Sequence, residues 1–482
     1  MNLKGLAKDT AIYGLSSIVG RFLNYLLVPL YTKVIPADNG GYGVVTNIYA
    51  HTALMLVILT FGMETTFFRF ANKGDDDPDS VFATSFGMVG MLSLAFLGIV
   101  FGFITPLSGW LGYTEHPEYI ELMATVVALD AIQAIPFCLL RYQKRPIKFA
   151  SLKMLFIIMN IGLNLIYFLV LGGRDILYIF ILNLVCTALI TFFFIPEFVH
   201  LRWKFDFALL RRMFKYSWPI LVLGIAGILN QTFDKQAFPS IYDKADVKVQ
   251  LGIYGACVKI AMIMAMITQA FRYAYEPFVF GAAKDKDSKE TYAAAMKYFI
   301  IFTLLAFLCV IGYLDILKLI IGEGYHVGLK VVPIVMAAEI MMGIYFNLSF
   351  WYKLIDKTYY GAIFSAIGCA VLIAVNVIFV PKYGYMACAW GGFAGYGTAM
   401  LISYFVGQKY YPVSYPLRSI AVYVLVAALL YAVMALLPVS WPVWLRLIIN
   451  TVLIFAFGAH IVWHELPRGT VLSIGRKLHL LK

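Results

Sequence analysis

Four ionisable side chains stand near the middle of long apolar stretches in this chain: Arg21 in "IVGRFLNYLL", Asp130, Lys259 in "YGACVKIAMI" and Glu339. A charge at such depth costs roughly 2.5–3.5 kcal/mol on insertion scales, so it faces a cavity or a partner. Arg21 has no acidic neighbour on its own segment, and its planar fork suits a phosphate delivered into a wet cavity. Pairing with Asp130 or Glu339 is the alternative. Lys259 reads the same way, as a flexible point charge. The carboxylates of Asp130 and Glu339 suit ion coupling, because a carboxyl in low dielectric can carry a proton or hold Na⁺; static pairing with the basic residues competes with that role. Asp234 and Lys235 stand side by side in "LNQTFDKQAFPSIYDK". Seventeen residues beyond Ser217, Asp234 lies roughly 26 Å along a helix, near an edge of the hydrocarbon, where the pair fits a cavity rim or a gate.

Weaker signals surround these. Glu64, beside Arg69, and Glu276, beside Arg272, could form gate-like ion pairs between the halves or be ordinary interfacial charges. Asn24, Asn47, Asn160, Asn164, Asn230 and Asn376 could line a sugar path, although polar residues also join helices in lipid. His51 reads as a satisfied core histidine. Lys153, Lys297 and Arg446 lie within a turn or two of a span end and are expected to snorkel. The acidic run "GDDDPDS" resembles a metal-binding run, but no surrounding domain supports it and it reads as a solvated loop. The six cysteines lack CxxC spacing and read as small buried hydrophobes, with no disulfide framework and no metal site.

These residues need elements to hold them. The chain has 482 residues, 62% hydrophobic and 13% charged, with mean hydropathy +0.83, too much apolar surface for one water-soluble core. Apolar runs of roughly 17–25 residues, long enough to cross hydrocarbon, suggest fourteen helices near 11–31, 43–63, 81–104, 118–140, 149–170, 176–198, 217–240, 250–272, 292–314, 328–349, 358–380, 385–407, 416–437 and 443–463. "LYIFILNLVCTALITFFFIPEF" is apolar on every side, unlike the alternating segments of a barrel. With the N-terminus in the cytoplasm, most of the 38 basic residues fall on that side, so the positive-inside rule places both termini there. The net charge of +12 is therefore mostly topology; scattered through short loops, it forms no nucleic-acid footprint. Arg21 interrupts the first run, which exceeds an h-region, so an uncleaved first helix is expected. The connections are too short for a catalytic domain.

At an offset of 212 residues the chain matches itself: Tyr42-Gly43 with Tyr254-Gly255, Glu64 with Glu276, Arg141 with Lys353, and "NLIYFLVLG" (164–172) with "NVIFVPKYG" (376–384). A duplication of six helices leaves both halves running in the same direction, as in transporters built of parallel repeats. The expected organisation is a first lobe over 1–200, an amphipathic linker over 201–216 in "RWKFDFALLRRMFKYSWP", a second lobe over 217–410, two further helices over 411–465 and a cytoplasmic tail over 466–482.

"LNYLLVPLYTKVIPADNGGYGVV", "FDKQAFPSIYDKADVKVQLGIYGACVKIA" and "NVIFVPKYGYMACAWGG" resemble the polysaccharide and O-antigen flippases of the MATE-like MOP superfamily. The resemblance implies an all-α integral membrane protein of about fourteen helices, two parallel six-helix lobes plus two C-terminal helices, in the bacterial cytoplasmic (inner) membrane. It implies a transporter, not an enzyme, that turns a polyprenyl-diphosphate-linked oligosaccharide from the cytoplasmic to the periplasmic leaflet by alternating access. Arg21, Lys259, Asp234 and Lys235 would surround its cavity. The implied partners are that lipid-linked substrate, the bilayer, H⁺ or Na⁺ if transport is ion-coupled, and proteins of glycan assembly; no cofactor is required. A MATE-type exporter of cationic drugs, working through Asp130 or Glu339, and a membrane glycan polymerase or ligase are the competing readings.

Overall fold

The structure is a computed structural model that describes residues 27–73, 75–199, 204–282, 288–355 and 357–465, with the side chains of 198 and 273–282 excepted. Among these residues there are helices and no strands, because a backbone crossing hydrocarbon must satisfy its N–H and C=O groups within its own segment. The first expected span is described only as α1 (Leu27–Val34). The others follow as α2 (Gly41–Thr60), α3 (Pro78–Gly102), α4 (Glu118–Tyr142), α5 (Pro146–Leu165), α6 (Leu177–Phe192), α7 (Phe207–Gln236), α8 (Val247–Ala282), α9 (Ser288–Gly312), α10 (Val332–Leu348), α11 (Tyr359–Tyr383), α12 (Tyr385–Tyr410), α13 (Leu417–Leu436) and α14 (Val443–Glu465). Twelve helical stretches among the described residues are long and apolar enough to span a membrane. Helix α12 is long but not in that set, so the described residues carry a multi-pass helical membrane protein without fixing the count at fourteen.

Local chemistry explains where the elements begin and end. Asp206 caps α7 by accepting from the N–H groups of Ala208 (2.7 Å) and Leu209 (3.1 Å), so α7 starts at Phe207 instead of near 217 and takes in most of the expected linker. Helix α2 stops where Phe61 and Gly62 adopt left-handed φ, and a short helix, Met63–Lys73, continues from it. The matched glycines Gly172 and Gly384 both have positive φ, 67° and 56°, the conformation glycine adopts without penalty.

The acidic run is used locally. Asp77 caps α3, accepting from Ser80 N (3.2 Å) and Ser80 Oγ (2.9 Å); that hydroxyl bond holds its carboxyl below the usual range. Asp75 pairs with Lys73 and Asp76 with Arg212. No group of three or more potential metal ligands occurs among the described residues. The six cysteines are free, five of them buried.

The cores reveal how the halves meet. One large apolar cluster joins both, with Tyr31, Ile35, Tyr42 and Phe180 from the first half and Tyr254, Tyr325 and Tyr385 from the second. Its first-half members lie toward the end of the bundle where α2 and α8 begin, while its second-half members run on to Met296 of α9 and Leu348 of α10. Toward the opposite end the clusters separate. Met63, Phe67, Phe82, Ile135 and Leu139 pack with Leu209 and Met213 of α7, whereas Tyr345, Trp351, Tyr352, Phe364 and Ala399 form their own group in the second half. The bundle is sealed at one end and, apart from α7, divided at the other.

Small residues make the seal. A Cβ on Gly43 would stand 1.9 Å from the Lys248 carbonyl oxygen, and one on Gly252 would stand 2.9 Å from Gly43 N, so α2 and α8 cross in backbone contact as small residues allow in membranes. Burial follows. Residues 41–50 of α2 are nearly all buried, and residues 51–58 are all half-buried.

Candidate functional site

Asp234 and Lys235 sit in the last turn of α7, at the sealed end, as their distance from Ser217 suggests. Lys235 Nζ donates to Asp234 Oδ1 at 2.9 Å and Oδ2 at 2.8 Å. Tyr254 of α8 donates its phenol to Asp234 Oδ2 at 2.6 Å, and the Lys235 ammonium lies 5.3 Å from the centre of the Tyr254 ring. The pair is thus built into α7 and α8 together. Side-chain exposure of 18% for Lys235 and 11% for Asp234 leaves the ammonium partly accessible.

The first half closes on this pair. Asn47 Nδ2 donates to Lys235 O (2.7 Å) and Gln236 O (3.3 Å), and Asn47 Oδ1 accepts from Tyr113 (2.9 Å). Gln236 Nε2 answers with a bond to Ala50 O at 2.8 Å. Asn47 therefore joins α2 to α7. The other asparagines also join or brace helices: Asn164 accepts from Tyr31 (2.9 Å), Asn230 donates to Ser365 O (3.1 Å), and Asn376 donates to Leu372 O of its own helix (2.8 Å). His51 is half-buried and bonds Asn47 O of its own helix at 3.0 Å.

Lys259 is half-buried in α8. Among the described residues it has no hydrogen bond or ion pair, and Lys235 is the charged group that acts on it. Glu339 is half-buried in α10, likewise without such a bond among the described residues, and Lys235 is its charged neighbour too. Lys235 thus acts on two groups far from it in sequence, Lys259 and Glu339, besides its neighbour Asp234. With every group ionised, Asp234, Lys235, Lys259 and Glu339 sum to zero charge, so protonating Glu339 would leave the group of four cationic. Arg21 and Asn24 lie outside the described residues, as does the side chain of Glu276.

A second polar cluster lies in the first half. Thr187 Oγ1 donates to Asp130 Oδ1 at 3.4 Å, and Gln133 Nε2 donates to Thr187 O and Thr191 Oγ1, each at 2.8 Å. The charged neighbour of Asp130 is Lys153, whose ammonium stands 3.9 Å from the Phe137 ring centre and also acts on Glu64. Lys153 is exposed on its helix and acts on both carboxylates. Lys297 and Arg446 do not merely snorkel, since they pair with Glu465 (2.6 Å) and Asp315 (2.9 Å). Glu64 and Arg69 do not pair with each other: Glu64 accepts from Cys138 Sγ (3.8 Å), and Arg69 covers the Tyr216 ring at 4.1 Å. Arg272 lies 4.6 Å over Phe346.

Tyr254 and Gln236 are the site residues that charge-based reading misses. The repeat held a signal for the first, because Tyr254-Gly255 matches Tyr42-Gly43, and Gly255 faces Thr46 across the crossing.

The family model described as "Polysaccharide biosynthesis protein" matches residues 36–329, more than half the chain. A search of curated proteins finds no match. Among solved structures, the fold is similar to the lipid II flippase MurJ in an inward closed conformation, with TM-score 0.75 at 15% identity over 93% of this chain and 98% of that one. It is also similar to an inward-facing multidrug resistance MATE transporter of the MOP superfamily (TM-score 0.63, 14% identity, 81% of this chain and 94% of that one) and to an outward-facing one (0.55, 14%, 83% and 95%).

Proposed function

The chain belongs to the polysaccharide biosynthesis protein family, and from that premise we propose that it flips a polyprenyl-diphosphate-linked oligosaccharide from the cytoplasmic to the periplasmic leaflet of a bacterial inner membrane. The observation that carries this reading is the bundle sealed at one end and divided at the other, with the unpaired Lys259 and the Asp234–Lys235 pair beside the seal. The basic residues favour cytoplasmic termini, which makes the sealed end periplasmic and the divided end the entry side.

Lobes over 1–200 and 217–410 would rock about this seal, exposing the chamber to each side in turn. Lys259, helped by Arg21 and Lys235, holds the diphosphate as a desolvated anion, and the polyprenyl tail stays in lipid. Binding stays modest so that release does not stall. Proton uptake by Glu339 would give the chamber its net positive charge and so tie loading to H⁺; Asp130, beside Lys153, already has a built-in cation and is the weaker coupling candidate. A cation-drug exporter would gain nothing from Lys259, whose charge repels its cargo.

Reconstituted in proteoliposomes, Lys259→Ala and Arg21→Ala should each lower translocation of lipid-linked glycan at least tenfold, about the worth of one charge-assisted hydrogen bond. Stably inserted variants working at the wild-type rate would overturn the proposal.

A further inference from the structure

At the sealed end one cavity of about 910 Å³ takes its walls from both halves. Thr32 and Lys33 at the end of α1, with Pro36, Ala37 and Asp38 after it, form one wall; Val249 and Ile253 of α8, with the 319–326 connection, form the other. The same segments grip each other directly. Gly322 N donates to Thr32 Oγ1 at 3.1 Å, and Tyr325 donates its phenol to Ile35 O at 2.9 Å. A Cβ on Gly322 would stand 2.0 Å from Thr32 O, so only glycine permits this approach.

The lining is mixed, with Val249, Ile253, Leu319 and Ile321 beside three charged side chains that are unengaged. Lys33, Asp38 and Glu323 are exposed, and among the described residues none of the three makes an ion pair or a side-chain hydrogen bond. His326 is held by its bonds to Lys318 O (2.9 Å) and Ile321 O (3.3 Å). Two free carboxylates against one lysine disfavour a phosphate. They suit a polyol, whose hydroxyls donate to carboxylates and accept from an ammonium. The volume lies within the range that encloses a small-molecule ligand.

We propose that this cavity binds the sugar portion of the translocated glycan from the far side, and does so only while the two halves are closed there. This rests on the flippase reading above. A pocket whose walls belong to two moving bodies has its full complement of contacts in one state only, and a ligand shifts the equilibrium by its differential affinity. Free glycan accumulating outside therefore holds the protein sealed and slows further delivery, a brake exerted by the product. The central cations take the diphosphate and this outer cavity takes sugar.

The test uses the full chain in lipid nanodiscs, titrated calorimetrically with the water-soluble oligosaccharide that mild acid releases from the source organism's carrier lipid. Wild type should bind it, inorganic diphosphate should not displace it, and Asp38→Asn with Glu323→Gln should weaken it at least tenfold. In proteoliposomes the same oligosaccharide on the far side should slow translocation by wild type and not by that double variant. The inference falls if the oligosaccharide does not bind, if the double variant binds it unchanged, if diphosphate displaces it, or if calcium alone produces the calorimetric signal. Should wild type translocate lipid-linked glycan yet bind no free glycan, only this inference fails; should it translocate none, the flippase reading fails with it.

Discussion

Asp234 shows how an ion pair in a membrane can be affordable. Its carboxylate has three polar contacts at once, two from Lys235 and one from Tyr254, and it sits at a helix end where some solvent reaches. Removing one partner strands the other: a fully buried pair loses about 3–5 kcal/mol on such a cut, and partial exposure should bring this to about 2 kcal/mol. Asp234→Asn and Lys235→Met should therefore each lower the unfolding temperature in nanodiscs, and the double variant should lose clearly less than the sum. Strictly additive losses would mean that the pair contributes no coupling energy. Glu339 offers a second test at this scale. If its protonation supplies the chamber's positive charge, wild-type diphosphate binding should tighten as pH falls, while Glu339→Gln should bind tightly with no such pH dependence; a variant that keeps the wild-type pH profile would remove Glu339 from coupling. The Asp234–Lys235 pair was legible because its members are adjacent in sequence. Tyr254 was not, since a phenol twenty positions later in an apolar helix carries no charge signal. Lys297 and Arg446 were misread because depth along one helix says nothing of which neighbours that helix will face.

Among the elements, the crossing of α2 and α8 decides which end of the bundle is shut. Gly43 meets the Lys248 carbonyl with no room for a Cβ, whereas the space beside Gly98 in α3 is open. Gly43→Ala must push the two helices apart at the seal; Gly98→Ala adds only helix propensity, about 1 kcal/mol in its favour. A cysteine placed at Thr46, which faces Gly255 across this crossing, should thus react faster with a water-soluble thiol reagent in the Gly43→Ala background and at an unchanged rate in the Gly98→Ala one. Equal rates in all three proteins would show that the seal lies elsewhere. Most helices were legible from apolar length alone, since each must satisfy its own backbone. The start of α7 was not: Asp206 caps a helix whose first turns are amphipathic, and hydropathy sees a linker where hydrogen bonding sees one continuous rod.

For the molecule as a whole, the question is which parts move together. Helices α13 and α14 look like an appendage, yet polar contacts fasten them to the second half at both ends of α9. At one end Glu465 accepts from Lys297 (2.7 Å) and Tyr423 (2.8 Å). At the other, Arg446 reaches Asp315 (2.9 Å), Tyr313 meets Thr451 (2.9 Å), and Asn450 donates to Gly312 O (2.8 Å). Between these ends Phe307 and Tyr431 meet edge to face at 5.5 Å. Breaking both fastenings means exposing several buried polar groups to lipid, which is costly, whereas at the divided end it is α7 that shares a core with the first half. The low-energy motion is therefore one in which α9, α13 and α14 travel as a single body against the first half. Spin labels on the exposed positions Tyr298 of α9 and Phe455 of α14 should keep one distance distribution with and without substrate. Labels on Phe455 and on exposed Leu94 of α3 should change theirs. A substrate-dependent distance within the α9–α14 pair would make the last two helices a third moving part and would relocate the hinge of the transport cycle.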